Sequence, residues 1–227
     1  MTAGLRERKK RETRQWISDV ATTLFTERGF DTVTISDVAQ AAGVAKMTVT
    51  NYFSRKEDLV FDRADMIIAG LARIVAERRP GESMLAAIRR DFAEAIDRQD
   101  PAVGVASPQF AAMVTGSPVL TARGLEIMYL REQALGDAIA AEAGPGETGA
   151  SETGADDVLH RVIAAQLAAI PRALFAEGLR LSMAGGSRAD SLAALARHAE
   201  RAFALLEPSL GGYGIRKAAA VAGHGMS

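Results

Sequence analysis

Apolar residues in this chain recur every three or four positions and rarely every second one, a period that leaves little but helices open to it. Ile17, Val20, Ala21, Leu24 and Phe25 form one stripe, and Leu85, Ile88, Phe92 and Ile96 form another. Leu192, Leu195, Ala199, Phe203 and Leu206 form a third. Helix-favouring Ala, Leu, Arg and Glu dominate, and runs of β-branched or aromatic residues are scarce.

Punctuation between the stripes sets the expected boundaries. Gly29 suits the left-handed end of a first helix. Thr34 with Asp37 reads as a capping box opening a short second helix, which Gly43 closes after about two turns. Residues 44–53 read as a short third helix. Ser54 with Glu57 reads as a second capping box, starting a long helix that runs toward Arg79 and the Pro80-Gly81 break. A helix over 83–98 is stopped by Asp100-Pro101. Ser107-Pro108 and Ser117-Pro118 each pair an N-cap with a first-turn proline. Asp156 or Asp157 is expected to cap a helix reaching about residue 185, and Ser187 with Asp190 the last one, which Pro208 ends. The expectation is an all-α fold of about nine helices, with a three-helix N-terminal domain ahead of a larger helical one.

Composition removes several functions. Lys plus Arg is 27 against 28 for Asp plus Glu, a net charge of −1 over 227 residues, so no overall basic excess points to nucleic acid. There is no cysteine, which excludes disulfides, thiolate metal sites and cysteine nucleophiles. His160, His198 and His224 lie too far apart for a local zinc motif, and no metal or cofactor is expected. Apolar stretches such as 66–72 fall short of a membrane span, and no apolar leader follows the basic N-terminus, so a cytoplasmic protein without a membrane partner is expected. The string GPGETG at 144–149 satisfies a dinucleotide-binding pattern literally, but it follows a helix and carries Glu147 where a phosphate would sit. Nothing supplies a catalytic nucleophile or phosphate loop, so no enzyme activity is expected.

Residues 34–53, TISDVAQAAGVAKMTVTNYF, carry the clearest chemistry. Ala39 is small enough for two helices to cross closely, and Gly43 supplies the turn between them. Val38, Val44, Val49 and Tyr52 are spaced to pack inward, leaving Ala45, Lys46, Met47, Thr50 and Asn51 outward. This is the layout of a helix-turn-helix, whose second helix lies in the major groove. Lys can meet guanine acceptors, Thr and Asn can hydrogen-bond base edges, and Met can touch a thymine methyl. The competing reading is a plain pair of packed helices. Charge placement favours DNA: residues 1–14 carry a net +4 through Arg6, Arg8, Lys9, Lys10, Arg11 and Arg14, and residues 1–60 carry +2.

Residues 11–60 resemble the N-terminal domain of the TetR family of bacterial transcriptional regulators. The residues that carry it are Gly29-Phe30, Thr34, Ala41-Ala42-Gly43-Val44, Tyr52-Phe53 and Lys56-Glu57. The resemblance implies that Thr48 and Tyr52 contact phosphates and that Lys56 touches the DNA backbone. It places Ser36, Lys46, Met47 and Thr50 against bases or adjacent phosphates. Thr50 stands where the family usually has tyrosine, so operator preference does not transfer from relatives.

For the rest of the chain the resemblance implies a ligand-sensing and dimerising half. The stretch 117–144 is similar to a subgroup that binds acyl-CoA-like molecules. Phe110, Met113, Met128, Tyr129, Gln166 and Phe175 are the expected pocket residues, and simple core is the alternative for each. Leu174, Leu195, Ala199 and Phe203 are candidates for a homodimer seam, with intramolecular core as the alternative. Pro171 falls inside a predicted helix and is expected to kink it. The expected domains are a basic arm and helix-turn-helix at 1–55 and a ligand-binding and dimerisation domain at 56–208. A disordered tail is expected at 209–227, and a flexible acidic loop at 144–157. The expected partners are an operator duplex, a small hydrophobic or acyl-CoA-like effector and a second copy of the chain. The expected function is repression relieved by the effector; activation, partner sensing and ligand binding without DNA are the alternatives.

Overall fold

The structure, a computed structural model, describes residues 2–143 and 155–217. Among these residues it is entirely helical. α1 (Thr2–Arg28), α2 (Ile35–Ala42) and α3 (Lys46–Tyr52) form a head. α4 (Ala64–Ala76), α5 (Met84–Asp97), α6 (Pro108–Gly116), α7 (Pro118–Ala143), α8 (Ala155–Met183) and α9 (Arg188–Leu210) form a body. Two short 3₁₀ turns, Glu57–Leu59 and Pro101–Val103, join elements. Residues 144–154 of the expected acidic loop, with the GPGETG string, fall outside the described residues; residues 155–157 begin α8, so Asp156 and Asp157 lie inside its first turn and not ahead of it.

Local chemistry accounts for most boundaries. The Thr34 side chain accepts from Asp37 N while the Asp37 carboxylate accepts from Thr34 N, closing the expected capping box. Ser83, Ser107 and Ser187 accept from Ala86 N, Phe110 N and Asp190 N at the starts of α5, α6 and α9. Gly43 takes φ +69°, and its N–H and that of Val44 return to the last carbonyls of α2.

Several boundaries depart from expectation. The basic N-terminus is not a separate arm but the first half of the 27-residue α1. The long fourth helix does not begin at residue 54: Asp58, not Glu57, accepts from Ser54 Oγ (3.1 Å) and Arg55 N (3.2 Å). With Leu59 and Val60 buried in succession, a 3₁₀ turn results and α4 starts only at Ala64. Pro208 does not end α9, which continues to Leu210. The tail is ordered through residue 217. Arg78 is buried, donates to Val75 O (2.5 Å) and Gly214 O (2.8 Å), and pairs with Glu142. Arg216 donates to the Ala76 and Arg78 carbonyls, both at 2.8 Å, so the tail straps the α4–α5 corner. Finally, α8 between Val158 and Met183 is long and apolar enough, by composition, to cross a membrane. Its Ile163, Leu167, Ile170 and Leu174 pack instead into the body core.

Two cores result. The body core gathers Leu71, Leu85, Ile88, Leu135, Leu167, Leu195 and Phe203. The head core gathers Ile17, Phe25, Val38, Val49, Phe53 and Leu59, and it also takes Ala111, Val114, Leu120 and Leu179 from the body. Leu174, Leu195, Ala199 and Phe203 are all buried within this one chain, which corrects their assignment to a seam between chains: a side chain already enclosed offers a partner no surface.

At the Pro101–Val103 turn the chain backs directly onto α8. A Cβ at Gly178 would lie 2.6 Å from Val103 O, and one at Gly104 would lie 2.2 Å from Phe175 O. Gly178→Ala is therefore expected to push the turn off α8 and lower stability by roughly 1–3 kcal/mol, measured by urea unfolding.

Candidate nucleic-acid interface

The surface presented by α3 follows from how the head packs. Val49 is fully buried and anchors the short helix on α1 and α2. The opposite face is open: Ala45, Lys46, Met47, Thr50 and Asn51 are exposed, Met47 to 69%. A methionine so exposed beside a lysine is not core, and it gains no stability where it stands. Thr48 and Tyr52 are half-buried at the edges of this face, and Ser36 is exposed at the start of α2. Thr50 Oγ1 donates to Met47 O (3.1 Å), which fixes its rotamer while leaving its lone pairs outward.

α1 supplies the flank. Arg6, Glu7, Lys9, Lys10 and Thr13 line one open cleft with Asn51 and Tyr52 of α3, three cations against one carboxylate. Continuing the helix to Thr2 therefore holds three cations beside the exposed face. Arg14 is not among them. Its guanidinium lies 4.3 Å from the Phe53 ring centroid and donates to the carbonyls of Tyr52 and, at 3.2 Å, Asp62. It clamps the end of α3 to α1. Trp16 adds a second clamp, donating from Nε1 to Ala42 O (3.1 Å) at the end of α2.

Lys56 is likewise turned inward, contrary to the expectation that it touches the DNA backbone. Its ammonium donates to Phe30 O and sits 4.3 Å from the Phe30 ring and 5.6 Å from that of Phe25. Burial pulls its pKa below the ordinary lysine value, against the opposing pull of Asp31, Glu57 and Asp37.

The head is tied to the body by charge as well as by core. Asp58 is buried, and its Oδ1 accepts from Arg123 Nε (3.0 Å) and Nη2 (2.8 Å) of α7. Glu126, one turn on, takes Arg123 Nη1 at 2.9 Å and Arg55 Nη1 at 2.7 Å. Those two hydrogen bonds hold the Glu126 carboxyl below the usual range.

Behind this brace lies a cavity of about 380 Å³ between α4, α5, α6, α7 and α8. Phe61, Ile67, Ile127, Met128, Phe175 and Leu179 give it an apolar wall. Of the expected pocket residues, Met128 and Phe175 line it. Phe110 and Met113 pack instead against the head core, while Tyr129 and Gln166 face solvent. Sequence reasoning missed Ile67, Arg131 and Arg172. One signal was available: Gly70 and Gly124, inside helices where glycine costs about 1 kcal/mol, both border the cavity.

The family model for bacterial regulatory proteins of the tetR family matches residues 17–62, the segment from the buried face of α1 to the turn before α4. That stretch, about a fifth of the chain, is similar to the N-terminal segment of the TetR family. The transcriptional repressor KstR2 of Rhodococcus jostii is 33% identical over 91 residues, which cover 38% of this chain and 45% of that protein. The transcriptional regulator TcmR of Streptomyces glaucescens is 29% identical over 179 residues, 77% of this chain and 76% of its own. The chain spans less than half of KstR2 in that match and about three quarters of TcmR. In fold the chain is similar to NalD, the secondary repressor of the MexAB-OprM efflux pump in Pseudomonas aeruginosa. The TM-score is 0.51 at 17% identity, covering 85% of this chain and 97% of NalD.

Removing Arg123 would strand the buried Asp58 carboxylate. Arg123→Met is expected to cost about 3 kcal/mol in chemical unfolding, whereas Arg55→Met, at an exposed pair, costs less than about 1 kcal/mol.

Proposed function

We propose that this chain is a homodimeric transcriptional repressor that grips an operator duplex with α3 and lets go when a small apolar-bodied molecule fills the body cavity. The open face of α3 is the observation that carries it: Lys46, Met47, Thr50 and Asn51 stand outward on a helix anchored by Val49, with a cationic cleft alongside. In this reading Lys46 meets guanine acceptors, Thr50 and Asn51 hydrogen-bond base edges, and Met47 touches thymine methyls. Ala45 allows close approach. Thr48, Tyr52 and Ser36 meet phosphates, as do Arg6, Lys9 and Lys10. Lys56 acts as a positioning residue that fixes the corner between α1 and α2. Repression, rather than activation, is supported by the similarity to KstR2, a repressor.

Dimerisation is supported by the outer face of the α8–α9 hairpin. Val158, Leu159 and Val162 on α8 and Leu205 on α9, the last 79% exposed, are apolar side chains left open on the two helices. Two heads carried this way would reach half-sites about one helical turn apart or a multiple of it. The cytoplasm, where the DNA is, is the proposed place of action.

The cavity volume falls within the range of small-molecule sites and suits an acyl chain or a small ring system. α7 carries both cavity residues (Gly124, Met128) and brace residues (Arg123, Glu126), so occupancy acts on the element that holds the 54–62 turn. The effector must favour one arrangement over the other to shift the balance.

Selection of genomic fragments on purified protein is expected to return one two-fold-related motif; no enrichment over bulk DNA would contradict the proposal. Lys46→Ala is expected to reorder affinities among operator variants. The double variant Lys9→Ala, Lys10→Ala is expected to weaken all duplexes alike. It should also flatten the slope of affinity against salt by about 0.9 for every phosphate left without its cation, read by fluorescence anisotropy.

A further inference from the structure

The cavity wall carries one guanidinium with a nitrogen closed off from solvent and left without an acceptor. Arg131, on α7, borders the cavity. Its Nε is closed off from solvent without a hydrogen-bond partner, and its guanidinium joins no ion pair among the described residues. Burial pulls its pKa down to about 10, offset only by the field of Asp91. Asp91, on α5, also borders the cavity, and burial pushes its own carboxyl up. Its field is shared with Arg98, Arg73 and Arg90, so it is no dedicated counter-ion for Arg131.

The other arginines around the cavity differ. Arg63 pairs with Asp100 (3.2 Å), Arg73 with Glu77 (3.6 Å) and Arg98 with Glu94 (3.7 Å). Arg172 is exposed to water. Only Arg131 is both desolvated and unmatched. A guanidinium N–H closed off from solvent without an acceptor is costly, and the cost is recovered when an anion presents two oxygens to the planar fork.

We infer that Arg131 is the recognition point for the effector's head group, and that the effector is an amphipathic monoanion: an apolar body against Ile67, Ile127 and Phe175, and a carboxylate-like group on Arg131. This rests on the cavity being the effector site. A single negative charge is specified because Asp91 on the facing wall would repel a second.

The test is calorimetric titration of the full-length protein with matched probes: decanoate, decanol and decylamine, and 2-naphthoate with 2-naphthalenemethanol. The acids are expected to bind at least about tenfold more tightly than the alcohols, with the amine weakest. Arg131→Met is expected to bring the acid-to-alcohol ratio to about one. It is also expected to raise the melting temperature of the ligand-free protein, since an unmatched charge is removed. Alcohol or amine binding as tightly as acid in the wild-type protein would overturn the inference and leave the cavity as an effector site. So would a preference for acid that survives Arg131→Met, or a lowered melting temperature, which would mark Arg131 as structural. Failure of every probe to bind would overturn both this inference and the cavity reading beneath it.

Discussion

Burial of Val49 against α1 and α2 is the contact on which the rest of the molecule turns. α3 has only seven residues, too few to be stable alone, and its N-cap, Ala45, offers no side-chain hydrogen bond. What keeps it helical is tertiary: Val49 fully enclosed, Phe53 behind it, and the Arg14 and Trp16 clamps closing the ends of α3 and α2. Enclosing a side chain such as Val49 is worth on the order of 1.5–3 kcal/mol. A helix held from one side has its other side free by construction, and that free side carries Lys46, Met47, Thr50 and Asn51.

The head is not an independent bead. Ala111, Val114, Leu120 and Leu179 complete its core from the body, and the Asp58–Arg123 brace fastens the 54–62 turn to α7. Residues of the same α6, α7 and α8 that reach into the head core also border the cavity. Interior packing is dense, so a displaced wall residue moves its neighbours rather than being absorbed. The distance between the cavity and the open face of α3 is therefore bridged by one continuous packed segment and one ionic brace.

Features fixed within a few residues of sequence are legible. Thr34 with Asp37, Ser83, Ser107, Ser187 and Gly43 act where the sequence places them, because a cap or left-handed turn needs only its near neighbours. Features decided by remote partners are not. Glu57 looks like the partner of Ser54, but Asp58 takes that place, and Arg123, 65 residues away, holds the same carboxylate. Lys56 by resemblance, and Arg14 as part of the basic N-terminus, look like phosphate ligands, yet Phe30 O and Tyr52 O lie within their reach and turn them inward. Leu174, Leu195, Ala199 and Phe203 have the same stripe pattern whether a helix packs on its own chain or on another, and here their own chain covers them. The cavity assembles from five helices, and Arg131, whose Nε is closed off there without an acceptor, is indistinguishable in sequence from a surface arginine.

The absence of cysteine allows the central claim, that the open face of α3 enters the major groove, to be tested with a single thiol. Met47→Cys, labelled with a photoactivatable azide and irradiated on a selected operator duplex, should cross-link to bases at the centre of each half-site. A matching Ala93→Cys label, at an exposed position of α5, should give none. Cross-links from position 47 that fall outside the half-sites, or that are no stronger than those from position 93, would contradict the account.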